Sequence, residues 1–262
     1  MTNSRDNLGD RMKENYESRS KTSLVRRMPV MIRLDGKSFH TLTRGFERPF
    51  DARLTEAMQE TTLELCKNIQ GCVFGYTQSD EITLILVDYN NLDTDAWFDY
   101  EVQKLCSVSA SMCTFYFNKI FRKKVESFIA ENEQTQEGEK LIKSYEIALE
   151  RGGMFDARAF NVPESEVVNA VLWRQQDCAR NSIFSLAYAH FPYKELKGKN
   201  TSQMQDMLMH TYNINWNNIP THLKRGTSIL KDEEGKWIID IEMPILKGED
   251  RNYLERKIHF DI

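Results

Sequence analysis

Two short segments place acids where apolar, strand-like runs stop. The first is Met31-Ile32-Arg33-Leu34-Asp35-Gly36-Lys37-Ser38-Phe39-His40, in which the run Val30–Leu34 ends on Asp35-Gly36. The second is Gly75-Tyr76-Thr77-Gln78-Ser79-Asp80-Glu81-Ile82-Thr83-Leu84, where two apolar runs meet across a tight polar turn holding Asp80-Glu81. If the first strand lies beside that hairpin, Asp35 and Asp80 meet at one edge of a sheet. Two carboxylates and the Gly36 carbonyl then form a hard oxygen site suited to Mg²⁺. Two such ions about 4 Å apart serve in-line nucleotidyl transfer. Neighbouring residues of a strand face opposite ways, so Asp80 is assigned as a ligand, and Glu81 as its support or a weaker second ligand. Asp35, Asp80 and Glu81 make up the candidate catalytic set.

Beside the acids lies a candidate phosphate cradle. Gly36 lets the chain bend sharply, and successive amides from Gly36 through Lys37, Ser38 and Phe39 to His40 can form an anion nest. Lys37 adds charge, Ser38 a hydroxyl, and His40 a phosphate contact rather than a general base. The GxxxxGK[ST] pattern of a P-loop is missing. Alone, either Asp-Gly or Asp-Glu is commonly a solvated turn; their matching places in the topology favour chemistry. A third polar stretch, Trp173-Arg174-Gln175-Gln176-Asp177-Cys178-Ala179-Arg180-Asn181, interrupts an apolar helical pattern. It reads either as a solvated face or as an RNA-facing surface using Arg174, Gln175, Arg180 and Asn181.

These groups need positioning elements. A narrow stripe of Leu8, Met12 and Tyr16 predicts an exposed helix over 4–19, with a stripe suited to docking on the body. Val30–Leu34 is the first strand, and Asp51 caps a helix to about Ile69 with Leu54, Met58, Thr61, Leu65 and Ile69 on one face. The hairpin follows, then a long helix from Asp93 or Asp95 to about Lys124, packed through Phe98, Val102, Leu105, Val108, Met112, Phe115 and Ile120. The polar stretch Ser127–Gly153 allows either a helix or a surface excursion. Phe155–Val162 is a further strand. Residues 163–191 are helical except at the Arg174–Asn181 block, Gly198–Pro220 is a helix, and Thr227–Leu230 with Trp237–Ile241 form a hairpin. The first part therefore runs β-α-β-β-α-β, the split βαβ arrangement of a four-stranded antiparallel sheet with two helices on one face. The expected class is α+β: a ferredoxin-like, polymerase-palm core over 1–162 that includes the N-terminal helix. Residues 163–262 form a C-terminal part of helices and a β-hairpin packed on it, possible as one continuous domain.

Composition narrows the classes. The chain has 262 residues, is 40% apolar and 28% charged, and carries a net charge of −4, ordinary for a globular protein. Basic residues cluster at Lys21/Arg26/Arg27, Arg122–Lys124, Lys194/Lys197/Lys199 and Lys224-Arg225, so net charge does not exclude nucleic acid. No stretch approaches the ~18 apolar residues of a membrane span. The five cysteines lack CxxC spacing and read as buried thiols of a cytoplasmic protein.

At Arg33–His40, Gln78–Glu81, Phe155-Asp156-Ala157-Arg158, Trp173–Cys178 and Asn213–Asn218, in order and spacing, the chain resembles the tRNA-histidine guanylyltransferase family, polymerases that add nucleotides in the 3′-to-5′ direction. The resemblance implies a palm core in a homo-tetramer. It also implies two Mg²⁺ held by Asp35, the Gly36 carbonyl and Asp80, with triphosphate cradled by Asp35, Gly36–His40, Ser79 and Asp80. ATP and GTP are the implied substrates and tRNA the partner. One departure bears on substrate. The eukaryotic His-Ile-Asn-Asn-Leu-Tyr-Asn pattern is here Ala179-Arg180-Asn181-Ser182-Ile183-Phe184-Ser185, as in the bacterial and archaeal relatives that repair truncated tRNA 5′-ends. Repair is thus favoured over dedicated G addition to histidine tRNA. A nucleotide cyclase on the same scaffold is opposed by the Arg174–Asn181 block and the basic clusters. A non-catalytic RNA-binding module is opposed by the presence of both Asp35 and Asp80.

Overall fold

Residues 7–132 and 136–259 are described by a computed structural model. Four strands form the core: β1 Val30–Gly36, β2 Cys72–Gln78, β3 Glu81–Leu86 and β4 Phe155–Asn161. Their antiparallel order β4-β1-β3-β2 is that of the split βαβ unit. The sheet continues beyond β2 into β5 Thr227–Lys231 and β6 Trp237–Asp240, giving six strands. The C-terminal hairpin thus extends the core sheet instead of standing apart from it.

One face is covered by α3 Ala52–Asn68 and α4 Val102–Asn132, which bury Met58, Leu65, Leu105, Cys113 and Phe117 against Ile32, Leu34, Ile82 and Leu84. The opposite face is covered too. The first half of α6 Glu164–His190 and α10 Asn252–Ile258 place Val167, Val168, Val171, Leu254 and Ile258 against Met31, Phe74, Ile85 and Val87. A third cluster ties the end of α6 to α7 Tyr193–Leu196 and α8 Thr201–Tyr212. The short helices α1 Asn7–Asn15, α2 Phe39–Leu42 and α9 Thr221–Arg225 complete the elements used below.

Several expectations need correction. The N-terminal helix stops at Asn15 and a 3₁₀ turn follows; the first residues expected in it lie outside the described ones. The long helix starts only at Val102, because Phe98, Asp99 and Tyr100 have left-handed backbone, and it runs on to Asn132. Its buried stripe is Leu105, Ser109, Cys113, Phe117, Phe121 and Val125, while Phe115 is 62% exposed. Apolar residues lie on several sides of this helix, so periodicity did not single out the inner face. Most of Ser127–Gly153 is helical, through the end of α4 and α5 Gln136–Arg151. The helix expected over Gly198–Pro220 is shorter, capped at Asn200 by a capping box with Gln203 and ended by left-handed Asn213.

Asp51 caps α3 as expected, its Oδ1 accepting from Leu54 N at 2.9 Å. Its Oδ2 also accepts from Glu47 N at 3.1 Å and from the Tyr145 hydroxyl of α5 at 2.6 Å. The residue is 5% exposed. Asp51→Ala therefore strands three donors at once and is expected to cost about 2–3 kcal/mol. Urea titration checks this, and Asp51→Asn should recover part of the loss; a loss under 0.5 kcal/mol, below the range for a single cap, would sink the account.

Candidate active site

The β1–β3 register sets Asp35 directly opposite Glu81, and the β1–β4 register sets Asp156 opposite Asp35. Directly opposed residues share a face, so Asp156, Asp35 and Glu81 form an acidic row at one end of the sheet. A two-residue turn, Ser79-Asp80, closes the β2–β3 hairpin, with Ser79 in left-handed backbone at φ 50°. The Gly36 amide donates to the Asp80 carbonyl at 3.1 Å. That bond locks the end of β1 to the turn and brings Asp35 and Asp80 together, as the sequence suggested.

Burial pushes the Asp80 carboxyl up from its ordinary range. The Ser79 hydroxyl, donating at 3.0 Å, opposes this, and the charges of Asp35 and Glu81 add to it. No cation among the described residues forms an ion pair with Asp35 or Asp80. Glu81 differs: it is ion-paired to Arg174 of α6 and accepts from Gln78 Nε2 at 3.3 Å. Arg174 also reaches Asp177 at 2.8 Å, and Asp177 pairs with Arg180. Burial alone would raise the Asp177 carboxyl; Arg180 and Arg174 outweigh it and hold the group below its ordinary value.

The cradle is narrower than the sequence suggested. The Gly36 and Lys37 amides are already committed, the second donating to Met154 O at 2.8 Å. Among the described residues the amides of Ser38, Phe39 and His40 donate to no protein carbonyl. Ser38 is left-handed (φ 57°, ψ 36°) and opens helix α2, a geometry that turns successive amides to one side. Phe39 contributes only its backbone there, since its ring is buried against Phe117 and Phe155 at 5.3 and 5.1 Å. This ring also explains Gly36, where an added Cβ would lie 2.4 Å from Phe39 Cδ2. Lys37, Ser38 and His40 are exposed.

A cleft of about 460 Å³ opens beside the cradle. Its walls include His40, Phe46, Gln78, Ser79, Asn181 and His222, with Tyr188 at the α6 end. It therefore joins three residues the sequence singled out separately, His40, Ser79 and Asn181. Phe46 and His222 carried no sequence signal.

The Arg174–Asn181 block is corrected in two respects. It does not interrupt α6, which is continuous from Glu164 to His190. Arg174 and Gln175 are 6% and 3% exposed and face inward, so they present no RNA-facing surface. Gln175 Nε2 donates to Pro244 O at 2.8 Å, and its Oε1 accepts from Leu246 N at 3.2 Å. Arg180 and Asn181 are exposed. Sequence reasoning also passed over the row behind the acids, where Arg158 of β4 stands directly opposite Arg33 of β1. Like charges placed so repel, and among the described residues neither has an acidic partner. Arg33 lies 5.8 Å from the Trp173 ring. The quoted Phe-Asp-Ala-Arg segment was the available signal.

Among the described residues no helix is long and apolar enough to cross a membrane, and no three His, Cys, Asp or Glu side chains cluster as a metal site.

The family model described as "Thg1: tRNAHis guanylyltransferase" matches residues 9–163, more than half of the chain. The probable tRNA(His) guanylyltransferase of Dictyostelium discoideum is 27% identical over 221 residues, covering 79% of this chain and 77% of that protein. The solved structure of a bacterial tRNA(His) guanylyltransferase (Thg1)-like protein in complex with ATP is 41% identical. It has a TM-score of 0.83 and covers 97% of this chain and 100% of its own. A GTP complex described in the same words is 38% identical, with a TM-score of 0.77 and the same coverage of both chains.

Proposed function

We propose, on the premise that this chain belongs to the tRNAHis guanylyltransferase family and is a nucleotidyltransferase, that it adds nucleotides in the 3′-to-5′ direction to tRNA 5′-ends, with Mg²⁺, as a repair polymerase. The observation that carries the reading is the locking of Asp35 to the Asp80 turn beside three uncommitted amides.

The donor set fits a divalent metal: Asp80 is a partly buried carboxylate next to Asp35, with no cation paired to either. Asp35, Asp80 and the Gly36 carbonyl would hold it, and bound Mg²⁺ would supply activation of a hydroxyl and neutralisation of phosphate oxygens. Glu81 stays on Arg174 and orients the turn. The amides of Ser38, Phe39 and His40, with Lys37, bind the triphosphate, and Ser79 closes the cradle from the hairpin side. The cleft takes the nucleoside. Arg33 and Arg158 bind the 5′-phosphate of the RNA, which relieves their mutual repulsion. Asn181 and Arg180 face the RNA from α6.

The resemblance supplies the order of steps. The 5′-monophosphate attacks the α-phosphorus of ATP, releasing pyrophosphate. The 3′-hydroxyl of the incoming nucleotide then attacks the activated 5′-phosphorus, releasing AMP. The departure at Ala179–Ser185 supports repair over strict selection of histidine tRNA. The resemblance also extends the proposal to a cytoplasmic homo-tetramer, which sedimentation of the purified protein checks.

The test is nucleotide incorporation with Mg²⁺, ATP and all four NTPs. The substrates are a histidine tRNA and a different tRNA lacking its first nucleotide, each carrying a 5′-monophosphate. Template-matched extension of the truncated RNA is expected. Addition of G to the histidine tRNA alone would replace repair by dedicated guanylylation, and extension of neither would overturn the activity.

A further inference from the structure

The distal half of α6 and the start of α7 carry three neighbouring aromatic rings, of which Phe184 packs against the third cluster while Tyr188 and Tyr193 belong to no buried cluster. Phe184 and Tyr188 stack at 6.4 Å and 27°, and Tyr188 and Tyr193 at 6.4 Å and 12°. Tyr188 is 43% and Tyr193 64% exposed. Neither hydroxyl makes a hydrogen bond to the described protein. The ladder is continuous with the cleft, because Asn181, Ser185 and Tyr188 line its α6 wall. Past its outer end stand Lys194, Lys197 and Lys199, all exposed and unpaired with any acid among the described residues. Stacked rings beside unpaired cations, leading into a nucleotide cleft, are the recognition chemistry of single-stranded nucleic acid.

We propose that Tyr188 and Tyr193, with Lys194 and Lys197, bind the unpaired 3′ strand lying opposite the 5′-end under extension. This rests on the function proposed above and deepens it. A stem that has lost 5′ nucleotides leaves unpaired bases on the opposing strand. The incoming base in the cleft has to meet the first of these, so that strand leaves over the cleft's α6 rim. Tyr188 lies about 21 Å along the helix axis from Arg174, which touches Glu81, at roughly 1.5 Å per residue. At about 3.4 Å per nucleotide, an overhang of roughly six nucleotides spans that distance.

The experiment compares a 5′-monophosphorylated stem-loop RNA whose 3′ strand projects by one template nucleotide (the short RNA) with the same RNA carrying a six-nucleotide 3′ overhang (the overhang RNA). Wild type is expected to bind the overhang RNA more tightly and extend it with a lower KM for RNA. Tyr193→Leu and Tyr188→Leu should each remove about tenfold of the overhang's advantage, and Tyr→Phe at either position should retain it. Lys194→Glu with Lys197→Glu should flatten the salt dependence of overhang binding. An overhang advantage unchanged in the Leu variants overturns the platform while leaving the polymerase reading intact. If the Leu variants instead change the oligomeric state, the rings pack between copies of the chain and the platform is again overturned. Wild type that binds and extends neither RNA overturns the function itself.

Discussion

Asp80→Asn is expected to abolish nucleotidyl transfer and yet to stabilise the metal-free protein. The first effect follows, on the function proposed above, from the loss of a charged oxygen that would hold Mg²⁺; about 10³-fold or more in rate is expected. The second follows from the Asp80 carboxyl being pushed up by burial and then by Asp35 and Glu81. A carboxyl whose pKa is higher folded than unfolded costs nothing at low pH, where both states hold the proton. The cost appears as pH rises through the unfolded value, about 3.9, and is fully present above the folded one. The melting temperature of Asp80→Asn in EDTA should therefore exceed that of wild type at pH 7.5, by about 2–4 °C per kcal/mol relieved. The two should converge as pH falls toward about 4. Added MgCl₂ should raise the melting temperature of wild type only, since binding to the folded state alone is stabilising. A variant that melts lower in EDTA, or that turns over at the wild-type rate, would remove Asp80 from the site.

Arg174→Met is expected to be strongly destabilising. The guanidinium is buried, pairs with Glu81 and Asp177, and lies 4.6 Å from the Trp173 ring. Removing it strands the Glu81 carboxylate and leaves Asp177 held by Arg180 alone. Breaking a fully buried pair costs about 3–5 kcal/mol. Here the Glu81 and Asp177 side chains are 27% and 23% exposed, so water screens part of this and about 2–3 kcal/mol is expected. Adding Glu81→Gln should restore a good part of the loss, because a neutral pair of similar volume leaves no stranded charge. In wild type Asp177 makes part of this stability depend on pH. Its depressed carboxyl contributes stability that is present above its unfolded value and lost as pH falls through the folded one. A double variant no more stable than Arg174→Met would mean that Arg174 acts through packing alone.

Strand and acid placement were legible because they rest on local chemistry. Apolar runs ending on Asp35-Gly36 and Asp80-Glu81 define a strand end and a hairpin turn, and β-α-β-β-α-β order leaves few ways to build one sheet. The Asp51 cap was legible for the same reason, since a cap acts within three residues of itself.

Other features depend on what lies across the fold. Periodicity could not say which side of α4 faces inward, since apolar residues occupy several sides and only the sheet selects one. Nor could it say that Arg174 and Gln175 are buried, because a polar run reads as exposed until partners as distant as Glu81 and Pro244 are known to satisfy it. The cradle lost two amides to Asp80 and Met154, and the cleft joins side chains from α2, α6, α9 and the hairpin. The sequence by itself determined which residues are candidates for the chemistry and which strands present them. Tertiary structure alone decided which of those groups remain free to act, because a donor or charge is available only if nothing distant in the chain has already satisfied it.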